Sequence, residues 1–201
     1  MRAQGHTRRT FIAVPLPHDL QATLFEVRST LARGLPGISW LRKMENLHIT
    51  IQFLGAVSDA QLAGLQDALA RSVELLPSFD ASVGGLGAFP APERAQVIWA
   101  GVDDLEGGLA RVAAAIRPVT EGIGDAKDPG SQAPSKPFRA HVTLGRSKTG
   151  VDLGPLVQAA AGQHFGRITV DEVHLYESRP GPEGSTYNLR SRARLASLFL
   201  R

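Results

Sequence analysis

Two hydrophobic periods organise this chain. Phe11 to Leu16 is a short apolar run closed by Pro15 and Pro17, and it predicts a buried strand with structure beginning at Thr10. Leu20, Leu24, Val27 and Leu31 then recur at helical spacing, and Gly34 and Pro36 end that pattern. From Asn46 to Leu54 the period falls to two, which puts His48, Thr50 and Gln52 on one face and Ile49, Ile51 and Phe53 on the other. Ser58 and Gln61 fit a capping box ahead of a second helical stripe, Leu62, Leu65, Leu69, Val73 and Leu76, which Pro77 stops.

Phe79 to Val83 and Ala95 to Gly101 read as strands joined by a turn through Gly84, Gly85, Pro90 and Pro92. A helix carrying Leu105, Leu109, Val112 and Ile116 should end before Pro118. Residues 121–137 lose nearly all apolar character and read as a mobile surface loop. Phe138 to Arg146 then repeats the earlier alternation, with His141 and Thr143 sharing a face. A helix near Leu153 to Ala161 follows, then strands at Arg167 to Glu177 and Tyr187 to Phe199. Strands and helices alternate without the period of a doubly wound sheet, so an α+β architecture is expected, with two related antiparallel sheets and helices on their outer faces. No linker divides the chain. Residues 1–9 read as a disordered basic tail and residues 10–201 as one domain.

Composition narrows the chemistry. With no cysteine among 201 residues, disulfides, thiolate nucleophiles and sulfur-ligated metals are excluded. No apolar run approaches the roughly 20 residues that span a bilayer, and no secretory signal opens the chain, so a cytoplasmic protein without membrane contact is expected. The net charge is only +3, yet 18 of the 22 basic residues are Arg. Arginine's planar fork matches phosphate, although an Ala- and Gly-rich chain that prefers Arg also reflects codon bias.

The candidate chemistry lies in the two alternating segments. His48-Ile49-Thr50-Ile51 and His141-Val142-Thr143-Leu144 are copies of one His-x-Thr-x pattern in equivalent strand contexts. A lone copy would carry little weight. If the two halves pack about a pseudo-twofold axis, two imidazoles and two hydroxyls converge on one small cleft. One neutral imidazole can act as base and one protonated imidazole as acid, and the hydroxyls can hold the non-bridging oxygens of a phosphodiester. No third strong ligand accompanies the histidines, so no metal and no cofactor is expected. The chain has neither a GxSxG elbow nor a GxxxxGK[ST] phosphate loop. His6, His18, His164 and His174 lack a threonine two positions on and read as structural, and Trp40 and Trp99 as packing residues.

Asn46 to Gly55 and Pro137 to Arg146, which contain these tetrads, resemble the two-histidine phosphoesterase superfamily. Within it they are similar to the RNA 2′,3′-cyclic phosphodiesterases once called 2′-5′ RNA ligases. Phe11 to Val14, Phe89-Pro90, Val97 to Gly101 and Leu175 to Ser178 extend the likeness over most of the chain. The resemblance implies a bilobal α+β fold with the tetrads facing across a cleft, and metal-independent opening of a terminal 2′,3′-cyclic phosphate on RNA to a 2′-phosphate. It implies His48 as proton donor and His141 as proton acceptor, roles that spacing alone does not assign. Thr50, Thr143 and Arg146 would bind phosphate. Arg146 has the wrong strand parity for that task unless Gly145 marks a bulge or the strand's end. Phe53 either flanks a base or belongs to the core, and Arg139 either lines the cleft or is a solvated edge residue. The partner implied is an RNA or oligonucleotide with a cyclic phosphate end, handled by a monomer. The same cleft could join that end to a 5′-hydroxyl. A non-catalytic RNA-end or nucleotide-binding module, and an esterase of small cyclic sugar phosphates, are the other readings.

Overall fold

A computed structural model describes residues 7–124 and 138–197. The order of elements is β1 (Thr7–Pro15), α1 (His18–Gly34), β2 (Ser39–Trp40), a 3-10 turn (Met44–Asn46), β3 (His48–Ser58), α2 (Asp59–Val73), β4 (Phe79–Phe89), a second 3-10 turn (Pro92–Arg94), β5 (Ala95–Asp103), α3 (Gly108–Thr120), β6 (His141–Val151), α4 (Gly154–Ala159), β7 (His164–Val170), β8 (Glu172–Arg179) and β9 (Thr186–Arg194). The α+β class stands, but the strands form one nine-stranded antiparallel sheet rather than two. Its order is β7-β4-β5-β6-β3-β1-β8-β9, with β2 also on β6. Strand β6 joins β3 through a single register pair, Ile49 opposite Val142, so two four-stranded halves meet at a narrow seam. Beyond it β2 takes the place of β3 along β6, pairing Ser39 with Arg146 and Trp40 with Gly145. Local alternation carries no information about that pairing, which is why the halves read as separate sheets.

The helices pack on the sheet face that bears Ile12, Val14, Ile49, Val142, Val173 and Leu175, all at most 1 % exposed. Leu20, Leu24, Leu65, Leu69, Val112 and Ile116 supply the matching helical stripes of one continuous core. Ser58 and Gln61 form the expected capping box, a device that contributes about 1 kcal/mol to a helix start. His48, Thr50, His141 and Thr143 are half-buried on the opposite, helix-free face.

Several boundaries differ from expectation for local reasons. Strand β1 opens at Thr7, because Arg8 donates to Asp59 (2.8 Å) and Glu177 (3.4 Å) instead of belonging to a tail; residues 1–6 lie outside the described residues. Strand β4 runs through Gly84 and Gly85 to Phe89, the glycines marking an irregularity in its pairing with β5 and not a turn. Helix α3 passes Pro118 by two residues, and Thr120 Oγ1 lies within hydrogen-bond reach of the Ile116 and Arg117 carbonyls at its end. The expected strand at 167–177 is divided into β7 and β8 around Asp171, and the loop expected at 121–137 lies outside the described residues from 125 on. Among the described residues no helix is long and apolar enough to cross a membrane.

Trp99 lies across Gly87, where an added Cβ would stand only 2.0–2.4 Å from the indole ring. Gly87→Ala should therefore cost about 1–3 kcal/mol by overpacking, read as a lower urea midpoint together with altered tryptophan emission. A variant as stable as the parent would show that the indole is not held in that place.

Candidate active site

The register pair at the seam sets the site. With Ile49 opposite Val142 in antiparallel strands, His48 falls across from Thr143 and Thr50 across from His141, all on the helix-free face. The two histidines are thus diagonal neighbours, a spacing of roughly 7–8 Å between backbones that leaves room for one small group between the rings.

Each imidazole is oriented by its own backbone. Nδ1–H of His48 donates to the Asn46 carbonyl (2.7 Å) and Nδ1–H of His141 to the Arg139 carbonyl (2.8 Å), the residue two before in both cases. Because a carbonyl can only accept, Nδ1 carries the proton in both neutral rings and Nε2 keeps its lone pair. The Thr50 hydroxyl lies 2.9 Å from His48 Nε2 and donates to it. Aromatic rings hold each imidazole from the side: Phe11 (centroids 4.9 Å apart) and Tyr187 (5.4 Å) against His48, Phe89 (5.1 Å) and Trp99 (6.1 Å) against His141. Burial is the largest influence on both. It lowers the pKa of His48 from 6.5 to about 4, with a smaller lowering from His141 and an opposing effect of the Asn46 carbonyl. His141 is also lowered by burial, and there Arg146 and Arg139 add to the effect while the Arg139 carbonyl opposes it. Burial thus favours the neutral form of both rings in the free protein.

The structure settles the parity of the two residues at the fifth position after each histidine. Along β1 the register steps from Ala13 opposite Thr50 to Ile12 opposite Gln52, and along β5 from Trp99 opposite Thr143 to Ile98 opposite Gly145. Each His-x-Thr strand therefore carries one extra residue just after its threonine, Ile51 in β3 and Leu144 in β6, and the alternation inverts there. Arg146 consequently turns to the His141 side and lines a cavity with Thr143. Phe53 turns to the His48 side, exposed, with its ring 5.7 Å from Phe11. Gln52, expected beside His48, instead accepts a hydrogen bond from Thr120 of α3 on the helix side (3.0 Å). Gly145 is required at the β6 bulge because the Trp40 ring lies over it; an added Cβ would stand 2.7 Å from that ring.

Arg139 lies over Trp99 (4.7 Å to the ring centroid) and Phe89 (5.8 Å), beside His141. Sequence reading missed Tyr187, Phe11, Phe89, Arg42 and Lys43, and took Trp40 and Trp99 only as packing residues. Trp99 touches His141, and Trp40 with Arg42, Lys43, Asn46 and Tyr187 lines the cavity of about 390 Å³ that opens beside Thr143. A second cavity, of about 490 Å³, is lined by Asp80, Asp103, Asp104 and Glu106 as well as Arg111 and Arg167, and this acidic lining suits phosphate poorly. Of the other histidines, His18 and His164 are exposed and His6 lies outside the described residues. His174 is buried, its Nε2–H donating to Glu172 (2.6 Å) and its Nδ1 accepting from the Tyr176 hydroxyl (2.8 Å). Among the described residues no three His, Asp or Glu side chains gather into a group that could hold a metal ion.

Two imidazoles that each present an Nε2 lone pair to the helix-free face, that of His48 accepting from Thr50, are flanked by hydroxyls and guanidinium groups, an arrangement capable of acid–base chemistry on an anion. The family model described as LigT like Phosphoesterase matches the chain twice, over residues 14–99 and 102–187, and the chain belongs to this family. Each match contains one His-x-Thr strand, so the pseudo-symmetry of the sheet is that of an internal repeat. The protein named RNA 2′,3′-cyclic phosphodiesterase in Archaeoglobus fulgidus is 33% identical over 182 residues, covering 89% of this chain and 96% of that one. Its namesake in Aeropyrum pernix is 31% identical over 156 residues, covering 76% and 84%. A crystal structure of a Thermus thermophilus protein superposes with a TM-score of 0.76 at 26% identity, covering 94% of this chain and 99% of that one. Apo LigT of E. coli shares the fold, with a TM-score of 0.70 at 24% identity and coverage of 95% and 99%.

The lowered pKa of His48 links pH to stability. The unfolded chain binds a proton at His48 below about pH 6.5 while the folded chain resists until about pH 4, so stability should fall as pH drops through that window. His48→Gln should flatten this part of the profile of thermal midpoint against pH. An unchanged slope in the variant would show that His48 does not titrate differently in the two states.

Proposed function

We propose that this chain is a metal-independent RNA 2′,3′-cyclic phosphodiesterase that opens a terminal cyclic phosphate to a 2′-phosphomonoester. The observation that carries this reading is the diagonal His48/His141 arrangement with both Nδ1 protons fixed on backbone carbonyls, so that each ring turns its Nε2 away from the backbone, that of His48 onto the Thr50 hydroxyl. The activity named for the relatives in Archaeoglobus fulgidus and Aeropyrum pernix supports it.

His141 is the base and His48 the acid. Arg139 and Arg146 disfavour a proton on His141, which suits a neutral acceptor. The lowering of His48 comes from burial and from His141 itself. A bound phosphodiester anion supplies the counter-charge that favours the imidazolium, so substrate raises the His48 pKa toward the working range. With His48 protonated, the Thr50 hydroxyl no longer donates to Nε2 and turns to a non-bridging phosphate oxygen; Thr143 serves the other side. His141 Nε2 takes a proton from water as the water oxygen bonds to phosphorus. The bond from phosphorus to O3′ breaks, and His48 Nε2–H protonates the departing oxygen, leaving a 3′-hydroxyl and a 2′-phosphate. Arg146 neutralises the phosphate, and Phe53, exposed on the same face, offers a ring on which any terminal base can stack. Arg139 adds positive potential at the His141 side. An alcohol in place of water would give 2′-5′ ligation by the same transfers, and water's bulk concentration favours hydrolysis. One chain supplies every group named, so a monomer is sufficient.

The test is incubation with an oligoribonucleotide bearing a 2′,3′-cyclic phosphate in excess EDTA. Hydrolysis to the 2′-phosphate should persist, and His48→Ala and His141→Ala should each lower kcat by about 10²- to 10⁴-fold with the fold retained by circular dichroism. A metal requirement, a 3′-phosphate product or near-parental turnover in either variant would contradict the mechanism. Binding without turnover by the parent protein would favour an end-binding module. Phe53→Ala should raise KM far more than it lowers kcat; the reverse split would remove Phe53 from base binding.

A further inference from the structure

The 390 Å³ cavity shares Thr143 and Arg146 with the proposed phosphate site and extends beyond them to Arg42, Lys43 and the β8–β9 hairpin tip, which the proposed reaction does not use. Its volume lies within the range of small-ligand pockets. It is lined by the bulged segment of β6 with Arg146, by Trp40, Arg42 and Lys43, and by the β8–β9 hairpin tip with Tyr187. Tyr187 also edges the His48 ring, so whatever enters the cavity lies next to the group held between the imidazoles. The lining is cationic. Against Arg42, Lys43 and Arg146 stands only Glu183, an exposed carboxylate 3.6 Å from Arg42. Lys43 donates to the Thr186 hydroxyl (2.8 Å), has no carboxylate partner among the described residues, and keeps further ammonium hydrogens to donate. Aromatic residues beside three cations and one carboxylate suit a phosphate-linked nucleoside better than an apolar ligand.

We infer that this cavity receives the nucleotide that precedes the cyclic end, with Lys43 contacting the phosphodiester that joins the two. The inference rests on the proposed reading of the His48/His141 site and specifies its substrate: the enzyme takes an RNA end of at least two nucleotides in preference to a cyclic mononucleotide.

The experiment compares adenosine 2′,3′-cyclic phosphate with the dinucleotide ApA carrying a 2′,3′-cyclic phosphate, using the parent protein, Lys43→Gln and Thr186→Val. The parent should show a higher kcat/KM on the dinucleotide. Lys43→Gln should reduce that value about tenfold or more, through KM, and leave the mononucleotide unchanged, as expected for loss of one charge-assisted contact. Thr186→Val removes the bond to the hairpin tip but not the cation, and should retain the dinucleotide preference. The preference should also shrink as salt rises. Equal kcat/KM for the two substrates in the parent would overturn the subsite, as would an equal loss on both in Lys43→Gln or collapse of the preference in Thr186→Val, which would show Lys43 acting by holding the hairpin. Turnover of neither substrate by the parent would instead overturn the underlying reading of the histidine site, and the subsite with it.

Discussion

One backbone pairing, Ile49 opposite Val142, sets the geometry on which the site depends. Each residue is a buried aliphatic whose two neighbours on the same strand are a histidine and a threonine facing the other way. Fixing these two aliphatics against the helical core therefore fixes four polar groups at once, and the antiparallel sense places each imidazole across from the other strand's hydroxyl. A slip of one residue would send all four into the core, where unpartnered polar groups are costly. The large buried cluster around Ile49, Val142 and Leu144 makes such a slip unfavourable without any disulfide or metal. The single pair also leaves the two halves free to diverge, and β2 fills the space along β6 where the cavity opens.

The same layout explains which features were legible in the sequence. Alternation at period two is local, so His48, Thr50, His141 and Thr143 could be placed on shared faces from the sequence, as could the helical stripes of α1, α2 and α3. Arg146 was legible only conditionally, since parity opposed its assignment and Gly145 offered a bulge as the way out. The equivalent bulge in β3 has no glycine after Thr50 to mark it, so alternation put Gln52 beside His48 and Phe53 with the core, and only the family resemblance offered Phe53 to a base. Gly84 and Gly85 misled in the opposite sense: an added Cβ at Gly84 would stand 2.4 Å from the Gln163 carbonyl oxygen, a tertiary reason for glycine that resembles turn chemistry in one dimension. Tyr187, Lys43 and Arg42 reach the site through the hairpin tip and the β2 segment, contacts far apart along the chain. The pairing of β3 with β6, and with it one sheet instead of two, is equally non-local.

Electrostatically the two halves of the repeat are not equal. The imidazoles share a tautomer because each donates to the carbonyl two residues before it, and both are driven neutral by burial. His141 lies beside two guanidinium groups, whereas His48 is packed between Phe11 and Tyr187 with the Thr50 hydroxyl on its Nε2. In the proposed mechanism an anion entering between them favours the imidazolium of His48, because burial opposes its charge and no guanidinium group adds to that effect as Arg146 and Arg139 do at His141. The proposed acid and base roles rest on the neighbours that the duplicated strands do not share, Phe11 and Tyr187 at His48 against Arg139 and Arg146 at His141.

The most direct test of this account is nitrogen-15 NMR of the two imidazoles as a function of pH, with and without adenosine 2′-phosphate. In the free protein both rings should be neutral at pH 7 in the Nδ1–H form, with His48 titrating near pH 4. With the phosphomonoester bound, His48 should acquire a proton at a higher pH than His141. A charged His48 in the free protein at pH 7, an Nε2–H tautomer in either ring, or preferential protonation of His141 in the complex would contradict it.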